Sequence, residues 1–199
     1  RQLLKIKDLR DYGLVFINGK RGGILDRRLY QDSLSVDLPK GKVRLDILVE
    51  NLGRINYGPY LLKNKKGITE KVLLDGKEIK GWQMFKLPFD DLNVVKTGTA
   101  AKPHPNIPIV RRGYFTVDKI GDTYLDFSKW GKGVVWVNGH NLGRYWEIGP
   151  QQTIYVPVEW LKPGKNEIVV FELIKPQQTV LKGIDKPVLN VLKENLDDK

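Results

Sequence analysis

The chain has 199 residues, no cysteine, two histidines and a net charge of +11. Without cysteine there is no disulfide and no thiolate metal site, and His104 and His140 are too few for a histidine-rich metal site. No apolar run approaches the roughly 18 residues that a membrane-spanning helix needs, so no membrane partner is expected.

The basic excess lies mainly in the first half of the chain, which would suit an acidic polymer or a nucleic acid. The lysines are scattered, however, and the densest group is only Lys63, Lys65 and Lys66. This distribution is typical of a solvated surface, so no nucleic-acid partner is expected. Glycine-rich phosphate-binding loops are absent, and we expect no cofactor.

Apolar and polar residues alternate along the first half in the way that β-strands require. In the segment 43–50, VRLDILVE, the apolar side chains that share one face are Val43, Leu45, Ile47 and Val49. Asn18-Gly19 and Asp75-Gly76 follow β-prone residues. Both dipeptides suit two-residue hairpin turns, in which each residue takes a positive φ.

The second half has the same character. Asn138-Gly139 predicts another hairpin turn, and Pro163-Gly164 predicts a type II turn. EIVVFEL at 167–173 is apolar on both faces, as a central sandwich strand would be. The best helical candidate is a single turn at 158–161. We therefore predict an all-β protein with a turn about every eight to twelve residues, which is the pattern of β-sandwiches.

The chain also repeats itself. LVFINGK at 14–20 resembles VVWVNGH at 134–140, and each is followed by a Lys/Pro/Gly turn and a long strand. A period of about 120 residues is too long for a solenoid, so two related sandwiches fit better. The predicted organisation is a first β-sandwich at 1–96, a linker rich in proline and small residues at 97–109, and a second jelly-roll β-sandwich with a C-terminal tail at 110–199.

No pattern of catalytic residues stands out. The chain has no G-x-S-x-G motif, neither histidine lies in a recognisable nucleophile–base frame, and no spacing marks a working pair of carboxylates. His104 lies between two prolines of the linker, where an exposed position is expected. We assign no catalytic residue and no metal ligand, although an active site without a known motif stays open.

The stretch VVWVNGHNLGRYW at 134–146 combines a hairpin turn with aromatic and polar side chains. Aromatic rings stack on pyranose faces, and arginine, asparagine and histidine donate hydrogen bonds to hydroxyls. The candidate carbohydrate contacts are His140, Asn141, Arg144, Tyr145 and Trp146. The alternative is that Trp136, Tyr145 and Trp146 fill a core or a domain interface, which is the commoner role of aromatic residues.

A second candidate is ENLGRINYGP at 50–59, which follows the strand predicted at 43–50. Gly53 and Gly58 permit a sharp excursion, and loops at the end of a rigid sheet concentrate binding residues. The candidates for substrate contact are Arg54, Asn56 and Tyr57. A self-satisfied turn, in which asparagine caps backbone amides, is the alternative.

Three segments together resemble the C-terminal β-domains of family 35 glycoside hydrolases, the β-galactosidases. They are RDYGLVFINGK at 10–20 with GILDRR at 23–28, ILVENLGRINYG at 47–58, and GDTYLD at 121–126 running through WGKGVVWVNGHNLGRYW at 130–146 to GPQQTIY at 149–155. The segments stand in the family's order and cover most of residues 10–173, whereas the last 25 or so residues match less clearly.

The resemblance implies two galactose-binding-like jelly rolls behind a (β/α)-barrel that holds the two catalytic glutamates of a retaining mechanism. A barrel takes about 250 residues, so this chain lacks it and is expected to be inactive alone. The implied partners are that barrel and a β-galactoside. A periplasmic or secreted location is favoured, and in some members the sandwiches help dimerisation, so a homodimer is an open alternative.

The resemblance also bears on single residues and on the chain's extent. It implies that Tyr57 lines the aglycone side of the active site and that Arg54 and Asn56 hold its loop. It further implies that the chain is a fragment whose first sandwich lacks an upstream strand.

Two other functions stay open at this point. A free-standing carbohydrate-binding module would need an exposed aromatic platform, which burial of Trp136, Tyr145 and Trp146 would exclude. An interaction protein that uses the basic first half, for example with nucleic acid, would bind in a strongly salt-dependent way. No motif of stacked aromatics and arginines recurs on one strand to support it.

Overall fold

The computed structural model describes residues 1–92 and 106–190. The chain divides into two compact units, Arg1–Leu87 and Pro88–Lys199. Short 3-10 turns lie at Arg27–Leu29, Leu61–Lys63 and Val158–Trp160, and no helix in the described part is long and apolar enough to cross a membrane. The predicted all-β class is confirmed, and the one predicted helical turn forms.

The first unit is an antiparallel sandwich. Its strands are β1 (Gln2–Ile6), β2 (Leu9–Arg10), β3 (Tyr12–Ile17), β4 (Lys20–Asp26), β5 (Ser33–Val36), β6 (Leu45–Glu50), β7 (Gly67–Ile68), β8 (Val72–Leu74) and β9 (Lys77–Glu78). They form sheets with the orders β5-β1-β8-β9 and β4-β3-β6, and β2 pairs with β7.

The core of the first unit lies between its two larger sheets. Leu4 and Ile6 of β1 face Val15 of β3 and Leu25 of β4, and all four side chains are buried. Burial of these branched side chains is the main force that holds the two sheets together.

Strand β6 follows the predicted alternation. Leu45, Ile47 and Val49 pack against the core of the first unit. The strand begins at Leu45 instead of Val43, so its predicted start was two residues early.

The second unit is also an antiparallel sandwich. Its strands are β10 (Ile109–Val117), β11 (Thr123–Asp126), β12 (Lys132–Val137), β13 (His140–Trp146), β14 (Thr153–Val156), β15 (Gly164–Glu172) and β16 (Lys182–Ile184). The sheets have the orders β10-β15-β12-β13 and β14-β11-β16. Between them lies a core of aliphatic and aromatic side chains that includes Leu125, Phe127, Trp130, Val135, Val137, Tyr145 and Val170.

The repeat predicted from the sequence is present in three dimensions. Strands β3 and β4 turn at Asn18-Gly19 with φ of +50° and +77°, and strands β12 and β13 turn at Asn138-Gly139 with φ of +48° and +85°. Each hairpin carries one irregularity of register, just after Val15 in the first and Val135 in the second. The third predicted hairpin forms between β8 and β9.

The two turn asparagines even make the same bond. The side-chain oxygen of Asn18 accepts from the backbone N–H of Arg44, beside β6. The side-chain oxygen of Asn138 accepts from the backbone N–H of Glu167 in β15. In both units the asparagine therefore ties the hairpin to the neighbouring strand of its sheet.

The prediction for 167–173 is confirmed, because β15 lies between β10 and β12 in the middle of its sheet. Strand β16, in the weakly matching tail, was not predicted, and it pairs with β11. Most of the predicted linker at 97–109, including His104, lies outside the described residues and stays a prediction.

Candidate functional site

The loop after β6 presents an exposed tyrosine. Gly53 and Gly58 take φ of +109° and +101°, the left-handed values that suit glycine and that the sequence led us to expect. Between them the chain turns outward, and the side chain of Tyr57 is 89% exposed. Arg54 and Asn56 are exposed as well. The three predicted substrate residues thus share one outward-facing turn.

The base of this loop is held by a buried carboxylate. Oδ2 of Asp11 accepts from the backbone N–H of Leu52 at 2.9 Å and from Nζ of Lys66 at 2.8 Å. Oδ1 accepts from Nη1 of Arg27 at 3.2 Å. Burial raises the pKa of Asp11, but the hydrogen bonds from Lys66 and Leu52 and the Lys66 charge outweigh it, so the pKa lies below its ordinary value. One carboxylate therefore joins both ends of the loop.

A second contact closes the loop from within. The side-chain oxygen of Asn64, a buried residue, accepts from the backbone N–H of Ile55 at 3.3 Å. Asp11, Lys66 and Asn64 therefore hold the loop, and a holding role for Arg54 and Asn56 stays a prediction.

The same loop exposes several apolar side chains. Its large exposed side chains are Ile55, Tyr57, Tyr60, Leu61 and Leu62. Leu62, in the 3-10 turn Leu61–Lys63, is fully exposed. Several exposed apolar side chains within one loop favour an interaction site.

Beside the loop lies an open cleft of about 720 Å³ within the first unit. Its lining includes Arg27, Arg28 and Tyr30 from the segment after β4, and Arg54 and Ile55 from the loop. A space of this size is in the range of small-molecule sites, roughly 300–1,000 Å³.

The structure corrects one of the candidate carbohydrate contacts in the second unit. Tyr145 is only 4% exposed; its ring stacks on Phe127 with centroids 4.0 Å apart. Its hydroxyl donates to Oε2 of Glu172 at 3.0 Å. Because both the ring and the hydroxyl are engaged inside the core, Tyr145 cannot contact a sugar.

The other aromatic residues of this stretch form no open platform either. Trp136 is 3% exposed, and the ring of Phe89 lies against it and against Phe171, at centroid distances of 5.6 and 5.0 Å. Trp146 is half-buried, with Nζ of Lys132 lying 4.0 Å from its ring centroid. The phenyl ring of Phe89 covers Trp136, and the Lys132 cation lies over the Trp146 ring; Trp146 stays a predicted sugar contact.

His140, Asn141 and Arg144 are exposed on β13, the edge strand of its sheet. The imidazole of His140 stacks on Trp160 with centroids 4.6 Å apart, and Oδ1 of Asn141 accepts from the backbone N–H of Gly143. These three residues stay predicted sugar contacts, without an aromatic platform among them.

Sequence reasoning missed the two carboxylates that organise the units, Asp11 and Glu172. Glu172 has the same parity along β15 as the inward-facing Ile168 and Val170, and this parity was the available sign of its burial. Within residues 1–92 and 106–190, no three His, Asp or Glu side chains lie close enough together to hold a metal ion.

Two antiparallel sandwich units, one with a braced aromatic loop at its end, place the chain in the class of β-sandwich proteins. Comparison with known families narrows this class. The family model "Beta-galactosidase, first all-beta domain" matches residues 1–88, and "Beta-galactosidase, galactose-binding domain" matches residues 108–166. The chain therefore belongs to the β-galactosidase family, in the part that carries these two β-domains.

Curated relatives agree with this assignment. The chain is 42% identical over 155 residues to a β-galactosidase of Xanthomonas manihotis, which covers 77% of this chain and 25% of that protein. It is 43% identical over 161 residues to β-galactosidase 17 of Arabidopsis thaliana, covering 71% and 23%, and 36% identical over 169 residues to human β-galactosidase-1-like protein 2, covering 82% and 26%. The chain thus spans about a quarter of the length of these relatives.

Proposed function

We propose that this chain is the non-catalytic C-terminal β-sandwich region of a retaining β-galactosidase. In this role it braces the catalytic (β/α)-barrel and lines the aglycone side of the active site with the loop that carries Tyr57. On its own the chain does not hydrolyse galactosides, because the barrel supplies both catalytic carboxylates.

The observation that carries the proposal is the exposed apolar surface of a loop that is nevertheless held in place. Tyr57, Tyr60 and Leu62 project outward, while Asp11 and Lys66 hold the base of the loop. In an isolated domain, a rigid loop whose apolar side chains face water would leave that apolar surface without a stabilising contact. Coverage by a second domain would remove this surface from water and would stabilise the assembly by roughly 25 cal/mol for each Å² of apolar area buried.

Tyr57 has the chemistry of a sugar contact. A phenol offers one ring face for stacking and one hydroxyl for a hydrogen bond, which suits a leaving-group sugar. Arg54 and Asn56, on the same outward turn, stay candidates for contacts with that sugar through their N–H groups.

A free-standing carbohydrate-binding module is the weaker candidate. Trp136 and Tyr145 are buried, and Trp146 is half-buried under Lys132. The stretch that suggested such a module therefore lacks the exposed aromatic surface that it requires.

The bracing role is tested with Leu62→Asp in two settings. In this chain alone the substitution leaves the thermal midpoint unchanged, because Leu62 is fully exposed. In the full-length β-galactosidase it lowers the midpoint by several degrees, since a buried unpaired charge costs several kcal/mol. Leu62→Met is the matched control and should be silent in both. Equal midpoints for the wild-type and Leu62→Asp full-length enzymes would exclude the barrel from this surface.

A further inference from the structure

The cleft of the first unit has an excess of hydrogen-bond donors. Three carboxylates line it, and each is already engaged. Asp8 accepts from Arg10 at 2.8 Å and from the hydroxyl of Thr69, and Asp32 accepts from Lys5 at 2.9 Å. The carboxylates of the cleft are therefore occupied by the protein's own donors.

Asp11, the third carboxylate, serves two cations at once, Arg27 and Lys66. Elsewhere around the cleft each carboxylate has one cation, as in the pair of Asp26 with Arg28. The Asp11 cluster thus leaves one positive charge uncompensated among the residues that line the cleft.

Arg54, which also lines the cleft, adds a second uncompensated charge. Within the described part of the chain its guanidinium has no ionic partner, and the side chain is exposed. Asn64 also lines the cleft and is only 8% exposed. Its side-chain oxygen accepts from the backbone N–H of Ile55, and its side-chain N–H groups remain as donors. A buried amide that borders the cleft is a preformed donor, held in position without a ligand.

The rim of the cleft supplies an aromatic surface. Tyr30 follows the 3-10 turn Arg27–Leu29 in a left-handed conformation, φ +57°, and its side chain is 95% exposed. The ring of Tyr30 is therefore free of packing contacts with the core and can stack on a ligand.

We propose that this cleft binds an acidic sugar, with Arg54 and Asn64 donating to its carboxylate or sulfate group and Tyr30 stacking on its pyranose ring. Free donors without free carboxylate acceptors favour an anionic ligand over a neutral one, because the anion gains charge-assisted hydrogen bonds. The exposed ring favours a sugar over an acidic peptide. The inference shares Arg54 with the proposed aglycone contact, but every residue of the cleft belongs to the first unit, so it is tested on this chain without the barrel.

The test is direct titration of this chain by isothermal calorimetry. The probes are digalacturonate, galactose 6-sulfate, neutral galactobiose and a hexaglutamate peptide. We expect saturable binding of one or both acidic sugars, weakened by added salt, and no binding of galactobiose. A response to digalacturonate alone assigns a carboxylate ligand, and a response to galactose 6-sulfate alone assigns a sulfate ester.

Two variants locate the site, and a third serves as the control. Arg54→Gln should weaken binding of the acidic sugar roughly tenfold, as loss of one charge-assisted hydrogen bond does. Tyr30→Ala should weaken it several-fold without a change in thermal midpoint, because the residue is on the surface. Arg44→Gln removes the same charge from an exposed position of the first unit outside the cleft and should change nothing.

Three results would overturn the proposal. The first is no saturable binding of either acidic sugar. The second is an equal effect of Arg54→Gln and Arg44→Gln, which would reduce the binding to general surface charge. The third is hexaglutamate binding as tight as that of the acidic sugars and insensitive to Tyr30→Ala, which would make the cleft a docking site for an acidic protein segment. The binding test uses this chain alone, whereas the barrel contact is tested with Leu62→Asp in the full-length enzyme. A negative binding result would therefore leave the proposed barrel contact untouched.

Discussion

The hydroxyl of Tyr145 donates a 3.0 Å hydrogen bond to Oε2 of Glu172 in the centre of the second unit. The carboxylate of Glu172 is fully buried and also accepts from four backbone N–H groups, those of Gly131, Lys132, Ile174 and Lys175. A residue first considered for sugar binding is thus part of the internal bracing of its own domain.

This bracing predicts the cost of two substitutions. Tyr145→Phe should lower the free energy of unfolding by about 1–3 kcal/mol, since it removes one donor from a buried carboxylate and keeps the ring. Glu172→Gln should cost more, about 3 kcal/mol or more, because its amide N–H groups would face backbone N–H groups. Denaturant unfolding measures both. A cost for Tyr145→Phe near zero would mean that the hydroxyl bond does not stabilise the core.

Gly133, the cross-strand partner of Tyr145, provides an independent test of the close packing around Tyr145. A β-carbon on Gly133 would overlap the backbone oxygen of Phe171 and lie 2.5 Å from the Tyr145 hydroxyl. Gly133→Ala should therefore destabilise the second unit by several kcal/mol, as overpacking in a core does. Gly121→Ala is the matched control, because no atom lies within 4 Å of the β-carbon there. Similar midpoints for the two variants would contradict the close packing around Tyr145.

The sequence predicted the fold well because its determinants are local. Alternation with a period of two defined the strands, and Asn18-Gly19 and Asn138-Gly139 defined the hairpins. For Tyr145 the sequence left burial and sugar contact open as alternatives, because β13 changes register at a bulge and a bulge reverses which side chains face inward.

For the loop of the first unit, glycine punctuation predicted the outward turn, and the exposure of Tyr57 follows from it. The contact between Asp11 and Lys66 joins residues 55 positions apart, and such an ion pair leaves no local pattern in the sequence. Which residues meet in such a long-range ion pair depends on the three-dimensional arrangement of the strands, and the sequence alone does not show that arrangement.

The repeated hairpins predict unequal effects of equivalent substitutions. Asn138 donates to the backbone oxygen of Trp160 and to Asn166, and accepts from Glu167. Asn138→Gly keeps the positive φ and loses these bonds, so it should cost about 2–3 kcal/mol. Asn18→Gly loses only the exposed bond to Arg44 and should cost about 1 kcal/mol or less. Equal unfolding free energies for the two variants would contradict this difference.

Acid should loosen the first unit through its carboxylates. The pKa of Asp11 lies below the ordinary value of 3.8, so its contribution to stability is complete above that pH and is lost as the pH falls through the lower folded-state value. The pKa values of Asp8 and Asp32 are lowered too, by the hydrogen bonds from Arg10 and Lys5 respectively. We expect the stability of the chain to fall below about pH 4.

The measurement is a set of unfolding curves between pH 2 and 7 for the wild type and Asp11→Asn. The variant should be less stable at neutral pH and should lose less on acidification, because the titrating group is gone. Asp37→Asn, at an exposed ion pair with Arg1, is the control and should follow the wild type. Parallel curves for wild type and Asp11→Asn would exclude Asp11 as a source of the acid sensitivity.

The proposed contact between Tyr57 and the leaving-group sugar of a β-galactosidase is tested most directly by paired kinetics on the full-length enzyme. Tyr57→Ala should lower kcat/KM for a galactosyl disaccharide by the equivalent of roughly 1–2 kcal/mol of lost stacking. It should barely change kcat/KM for a nitrophenyl galactoside, which leaves that subsite mostly empty, and it should not change the unfolding curve, because the residue is 89% exposed. Equal losses on both substrates together with a fall in stability of about 3 kcal/mol would assign Tyr57 to packing and contradict the account.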